Sequence, residues 1–212
     1  MRIVVTRPRG HETELVEGLV ALRHEVIHCP LLEIEPLGEE QVDVSGYDWV
    51  IVTSVNGPRE LRRRMTGAPA RVAAIGRATA EAFGGVDLVP AVSTQEGLLA
   101  ELPRPTGRVL FAGGEGARRL LADELGADVV TLYRTVELAP STRPEGDLVV
   151  LTSASAARAF GRLGADIPAV TIGPQTSEAA RAGGVEVIRE AATHDVPGLL
   201  ASIGSAACSS PS

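Results

Sequence analysis

The sequence predicts an α/β protein of two similar lobes. Each lobe holds a parallel sheet flanked by helices, the two are joined by a two-stranded antiparallel linker, and the connectivity is swapped and discontinuous. Three observations carry this. Short apolar runs alternate with amphipathic stretches along all 212 residues, the order that gives parallel sheets covered by helices. The word DWVIVTS, starting at Asp48, returns as DLVVLTS at Asp147. Two strand-like segments, EVIHCPLLEIEP and DVVTLYRTVELAP, are about twice the usual strand length of 5–6 residues.

Taken in order, strands are predicted at Arg2–Thr6, Glu25–Ile34, Asp48–Ser54, Arg71–Gly76 and Leu88–Pro90. A second series follows at Arg108–Gly113, Ala127–Leu138, Asp147–Ser153, Ala169–Gly173 and Glu186–Arg189. Helical patterns lie between them. In the first, Leu15, Leu19 and Leu22 form one apolar stripe at helical spacing. The two series correspond: RIVVT with RVLFA, EVIHCPLLEI with DVVTLYRTVEL, DWVIVTS with DLVVLTS, RVAAIGRATAEAF with PAVTIGPQTSEAA, and EGLLAEL with PGLLASI. The offsets are 106, about 103, 99, 97 and 101. Five matches in one order indicate a duplicated unit of about 100 residues. Each long segment would span about 40 Å at roughly 3.3 Å per residue. That exceeds one small sheet, so each starts as a strand in one lobe and leaves it as a bridge. The first strands then share a lobe with the last third of the chain. The expected organisation is residues 1–35 with 142–204 as the first lobe, 39–138 as the second, and 205–212 as a disordered tail.

Composition narrows the partners. The chain is 44% apolar but only 3% aromatic, so the core must be Val, Leu, Ile and Ala, as in buried parallel sheets. A net charge of −7 and a pI near 5.2 argue against a nucleic-acid partner. They leave room for an anionic small ligand, because local dipoles can outvote net charge. All 20 basic residues are Arg, which removes Schiff-base chemistry and a P-loop lysine. Cys29 and Cys208 make no disulfide framework and read as free thiols in a reducing cytoplasm. The apolar run in MRIVVTRPRG is too short for a signal peptide. Nothing approaches 18 consecutive apolar residues, so no membrane partner is expected.

The strand ends are where ligands bind in parallel α/β sheets. Here they read TRPRG, TSVNG, IGRAT, AGGEG, TSASA and IGPQT. Gly, Ser or Thr stands wherever a strand becomes a helix, at Thr6, Thr53, Ser54, Gly76, Thr79, Gly113, Ser153, Gly173 and Thr176 among them, with Arg7 beside Thr6 as a further candidate contact. Small residues admit a ligand to the backbone, and the first helical N–H groups lack internal partners and carry the positive end of the dipole. Ordinary capping explains any one such loop. Six together, facing one cleft between lobes, point to a large polyanionic ligand.

Other patterns are weaker. Gly113-Gly114-Glu115-Gly116 lacks the full dinucleotide fingerprint. Strand alternation puts His28 and Cys29 on opposite faces, which disfavours a shared metal. His194 reads as a cap of the last helix, and Arg62-Arg63-Arg64 as a solvated helix face. Tyr133, one of two tyrosines, sits where the second long strand leaves its lobe. Its hydroxyl could donate a hydrogen bond to a leaving oxygen, or it could merely pack on the linker.

The pieces VTRPRG, PLLEIEP, YDWVIVTSVNG, AAIGRATAEAF, LYRTV, VVLTSASA and VTIGPQTSEAA, in that order over residues 1–204, resemble the uroporphyrinogen-III synthase family. The resemblance implies two α/β lobes joined by a two-stranded ladder with the swapped connectivity. It implies conversion of hydroxymethylbilane, a linear tetrapyrrole with eight carboxylates, into the macrocycle uroporphyrinogen III, with inversion of the last pyrrole and loss of water. No cofactor and no metal are implied. The family's tyrosine falls on Tyr133, as the residue that assists loss of the terminal hydroxyl. Its loop contacts fall on Thr53, Ser54, Asn56, Ser153, Ser155 and Thr176, mainly through backbone N–H groups. Single Ser or Thr to Ala changes there are therefore expected to have small effects. The absence of Lys departs from any relative that uses one. A cytoplasmic monomer is expected. The alternative is a non-catalytic two-lobe sensor of a tetrapyrrole or another polyanion, and a nucleotide-sugar transferase is a more distant option.

Overall fold

The computed structural model describes residues 1–204; the expected tail over 205–212, with Cys208, lies outside the described residues. In chain order the first elements are β1 (Arg2–Val5), α1 (Thr13–Ala21), β2 (Glu25–His28), β3 (Leu32–Pro36), β4 (Val42–Asp43), β5 (Trp49–Val52), α2 (Asn56–Arg64), β6 (Met65–Thr66), β7 (Val72–Ala74), α3 (Arg77–Phe83) and α4 (Gln95–Glu101). Then come β8 (Val109–Gly114), α5 (Leu120–Leu125), β9 (Asp128–Glu137), β10 (Leu148–Leu151), α6 (Ala154–Leu163), β11 (Ala169–Thr171), α7 (Pro174–Ala182), β12 (Val187–Glu190) and α8 (Val196–Gly204). The chain divides into two compact units. One is Met1–Glu33 with the chain from Val136 onward; the other is Ile34–Thr135.

The first unit holds a sheet in the order β12-β11-β10-β1-β2, with every pair parallel. Its central strands β1 and β10 carry unbroken apolar runs, IVV and LVVL, because helices cover both faces. Ile3 and Val5 pack with Leu15 and Leu19 of α1 and Leu199 and Ile203 of α8. Val4, between them, packs with Phe160 of α6 and Ala180 of α7 on the other face. Strand alternation thus sorts one run of three residues onto two helical layers.

The second unit holds β3-β9-β8-β5-β7. The pairs among β9, β8, β5 and β7 are parallel. Val50 and Val52 pack with Leu61 of α2, and Trp49 and Ile51 with Leu98 of α4 and Leu121 of α5. Beside β3, the Leu37 N–H donates to the Leu132 carbonyl (2.8 Å), and in the first unit the Leu138 N–H donates to the Leu31 carbonyl (2.9 Å). Numbers rise on one strand as they fall on the other, so β3 and β9 run antiparallel. Ala73 also bridges Leu88 in parallel. Read from that bridge, the second sheet runs Leu88, β7, β5, β8, β9, which is the order of β12, β11, β10, β1, β2 in the first. The strand words matched in sequence therefore occupy matching sheet positions.

Several expectations are corrected. EVIHCPLLEIEP is not one long strand: β2 stops at His28 and β3 starts at Leu32, because Pro30 has no N–H for a ladder. Leu88–Pro90 contributes a single bridge rather than a strand. Leu22 leaves the apolar stripe and is 42% exposed, since α1 ends at Ala21 and the chain turns at Arg23, whose φ is 62°. The short parallel pair of β4 and β6 is too brief to leave a periodic signal. No helix of the described residues is long and apolar enough to cross a membrane.

Candidate functional site

Parallel strands bring their carboxyl ends to one edge of each sheet, where the chain turns into helices. In the second unit that edge carries Thr53 and Ser54 after β5, Gly76 after β7, Gly113 and Gly114 at the end of β8, and Tyr133 in β9. Ser54 and Tyr133 meet there. The Ser54 hydroxyl and the Tyr133 phenol share a hydrogen bond of 2.6 Å. Ser54 Oγ also accepts the Gly57 N–H (3.3 Å) from the first turn of α2, one of the helix donors without an internal partner.

The tyrosine is placed by the backbone around it. The register between β8 and β9 slips between Gly113 and Gly114, so Gly113 stands opposite Thr131 and Gly114 opposite Tyr133. Such a bulge re-aims a side chain at a strand end. The Glu115 N–H closes the pairing on the Tyr133 carbonyl at 2.7 Å. A Cβ on Gly114 would lie 2.6 Å from two ring atoms of Tyr133 and 2.9 Å from its hydroxyl. Only glycine leaves room for the ring, which is 8% exposed. Nearby, Thr53 and Asn56 are half-buried at the turn into α2. Gly76 precedes α3, and Thr79 is buried within it.

In the first unit the corresponding edge carries Thr6 and Arg7 after β1, Ser153 and Ser155 after β10, and Gly173 and Thr176 after β11. Two of these hydroxyls are engaged by the fold. Thr6 Oγ1, fully buried, donates to the Val150 carbonyl (3.1 Å). Ser153 Oγ accepts the Ala156 N–H (3.1 Å) and caps α6. Ser155 is exposed, and its oxygen accepts from Arg158 at 3.4 Å. Thr176 is buried within α7. Arg7 is half-buried, and its carbonyl faces His28 Nε2 at 2.9 Å. Burial lowers the pKa of its guanidinium, against the opposing pull of Glu14 and Glu12. A charge disfavoured by burial gains from an anionic partner.

Two readings of charged residues change. His194 does not cap the last helix; Asp195 does, accepting the Gly198 N–H at 2.8 Å and the Thr193 hydroxyl at 2.7 Å. The His194 ring instead stands against Gly173, where a Cβ would come within 2.9 Å of its Cδ2. The Arg62–Arg64 run is not wholly a solvated face. Arg64 is 6% exposed and donates to the Leu37 and Glu40 carbonyls at 2.6 and 2.8 Å. It lies on the inward side of α2, one position round from Arg63. Sequence reasoning missed Gly57 and Gly114; the doubled glycine at the end of β8 was the only signal for the latter. Among the described residues no group of three or more His, Cys, Asp and Glu is placed to hold a metal ion. Chemically, the site offers a phenol with a firm hydrogen-bond partner and helix amino termini suited to anions.

The family model described as uroporphyrinogen-III synthase HemD matches residues 13–201. The uroporphyrinogen-III synthase of Synechococcus elongatus is 29% identical, over 95% of this chain and 93% of its own. The porphyrin biosynthesis protein HemD of Ruminiclostridium josui is 28% identical over 85% of this chain, which spans 44% of that longer protein. The crystal structure of a mutant uroporphyrinogen III synthase from the extremely thermophilic bacterium Thermus thermophilus shares the fold, with a TM-score of 0.65 at 18% identity, covering 99% of this chain and 100% of that one. With a family match running from the start of α1 into α8, the chain belongs to the uroporphyrinogen-III synthase family.

Proposed function

We propose that this chain closes hydroxymethylbilane into uroporphyrinogen III, inverting the last pyrrole and releasing water, with Tyr133 as the acid that helps the terminal hydroxyl leave. The family match over residues 13–201 carries the reaction class. The role of Tyr133 is supported by its phenol being held at a sheet's carboxyl edge by Ser54. The C–O bond breaks with its electron pair on oxygen, and Tyr133 supplies the proton that makes water. The pyrrole nitrogen stabilises the resulting azafulvene cation. The substituted carbon of the last ring attacks that electrophilic methylene, forming the new C–C bond of a spiro intermediate. Fragmentation and recombination return that ring turned around, and the proton lost on rearomatisation restores the phenol. Atoms balance without an added reactant.

The rest of the protein holds and orients. We read the two units as lobes with exchanged leading strands, and the strand ends of each as suited to carboxylates such as the substrate's eight. The contacts are backbone N–H groups at Thr53, Ser54, Asn56, Gly76, Thr79 and Gly113 in one, and at Thr6, Ser153, Ser155 and Gly173 with the Arg7 guanidinium in the other; the Thr176 N–H donates to the Gly173 carbonyl at 3.0 Å and would have to leave it to serve. Fixed dipoles of this kind stabilise charge without reorganising during the reaction. Closure without inversion, giving isomer I, is the competing route.

The test supplies freshly made hydroxymethylbilane and separates the two isomers. The expected product is isomer III at a rate above the spontaneous one; isomer I alone, at the spontaneous rate, would refute the activity. Tyr133→Phe should lower kcat by roughly 100-fold or more while the fold remains. An unaltered kcat removes Tyr133 from the reaction.

A further inference from the structure

We propose that Ser54 is a positioning residue for Tyr133: held by the amino terminus of α2, its hydroxyl fixes the phenol and turns the phenol's own proton outward. The idea rests on the reading of Tyr133 as the acid; it gives the Ser54 side chain a role beside the backbone contact, in place of the small effect expected of Ser54→Ala.

A serine hydroxyl has one proton and two lone pairs. The Gly57 N–H occupies one lone pair at 3.3 Å. The serine proton and the second lone pair remain for the Tyr133 oxygen, 2.6 Å away, and we assign the proton to this bond. Donated in that direction, it leaves the tyrosine proton for the departing hydroxyl. The phenol cannot easily turn aside, because the ring lies against Gly114 with no space for even a methyl group, and the bulge at Gly113 and Gly114 fixes its strand position.

The same arrangement favours the reacting state over the resting one. As the C–O bond breaks, Tyr133 passes its proton to oxygen and negative charge grows on the phenol oxygen. A hydrogen bond to a charged acceptor is stronger than one to a neutral acceptor. The donor already faces that oxygen, so nothing must reorient. Behind Ser54 stands the positive end of a nine-residue helix, and a hydroxyl that accepts a hydrogen bond becomes a better donor. Neither Thr53 nor Asn56 shares a hydrogen bond with the tyrosine, which sets Ser54 apart from its loop neighbours.

A double-mutant cycle on the full chain tests this. Ser54→Ala should lower kcat roughly tenfold to a hundredfold with little change in KM. Combined with Tyr133→Phe it should add almost nothing to the loss from Tyr133→Phe alone, because it acts through the missing hydroxyl. Ser54→Thr, which keeps a hydroxyl, should recover most of the lost turnover. Full kcat in Ser54→Ala, losses that multiply in the double variant, or a loss confined to KM would each overturn the proposal. If Tyr133→Phe alone is fully active, it is the reading of Tyr133 that fails, and the cycle separates the two cases. Should Ser54→Ala not fold, Gly114→Ala serves instead. Its methyl must displace the ring from Ser54, so an unchanged kcat there would also overturn the proposal.

Discussion

Arg64 offers a test of how α2, the helix whose start receives Ser54, is held at its other end. Its guanidinium donates from Nη1 to the Leu37 carbonyl at 2.6 Å and from Nε to the Glu40 carbonyl at 2.8 Å, with Glu60 3.9 Å away. Methionine at this position keeps much of the apolar stem and removes both bonds. A hydrogen bond from a charged donor contributes about 1.5–3 kcal/mol net, and a buried acceptor left bare costs a further 1–3 kcal/mol or so. Glu40 is exposed and its carbonyl regains water, whereas Leu37 is half-buried and its carbonyl does so less well. Arg64→Met should therefore destabilise the second unit by about 2–4 kcal/mol. The assay is built into the chain. The single tryptophan, Trp49, is 3% exposed in the core of that unit, so its fluorescence follows the unit through a urea titration. The midpoint should fall with the slope unchanged. Arg63→Met is the comparison: its side chain is 47% exposed and reaches Glu60 and Glu39, and surface pairs of this kind contribute little. Equal midpoints for Arg64→Met and the parent chain would refute the assignment of Arg64 as a buried strut.

Two further expectations concern the loops. Thr53→Ala should reduce turnover by less than about tenfold, because backbone donors do the holding there; a larger loss in a steady-state assay would show that the hydroxyl itself binds or reacts. Asp195, at the start of α8, has its carboxyl pKa lowered by the Thr193 hydroxyl and the Gly198 N–H. A depressed folded pKa means stability that is present above the ordinary carboxylate range and lost as pH falls through the folded value. Asparagine caps without titrating. Asp195→Asn should thus soften the loss of stability below about pH 4, and parallel pH profiles for the two chains would contradict this.

Much of the architecture is legible in the sequence because the sheets are buried on both faces. Runs such as IVV, VIV and VVL have no polar alternation to mislead, and turn residues bound them. What escapes is local. Pro30 ends a strand that apolar periodicity alone would continue. Met65 and Thr66 pair with Val42 and Asp43 over too few residues to show a period. At the strand ends, residue type announces a turn into a helix but not the direction of a hydroxyl. Thr6 and Ser54 look alike in sequence, yet one donates into the sheet and the other meets a phenol. That difference depends on which strand lies across the edge, a tertiary fact with no local signature.

If Tyr133 is the acid proposed above, the duplication indicates how the site around it arose on a repeated frame. Aligned at the offset of 99 residues, Ser54 corresponds to Ser153. Both accept an N–H from the residue three positions on, Gly57 and Ala156. The serine at this strand end is therefore a capping device common to both repeats, needed before any reaction is considered. The strand across the edge differs. At the offset of about 103, Tyr133 corresponds to Pro30, so the first repeat ends its strand where the second extends a ten-residue one and presents a phenol. Gly114 completes the change, since any side chain there would occupy the volume of the ring. Placing the phenol beside Ser54 thus needed a strand that continued and a glycine beneath the ring, added to a serine that already received the helix start. The fold can carry such a step because the cap keeps its structural role while gaining a second partner. On the reaction proposed above, the corollary is an asymmetry of function on a repeated frame: both units place helix amino termini at their strand ends, and the phenol of Tyr133 stands at those of the second.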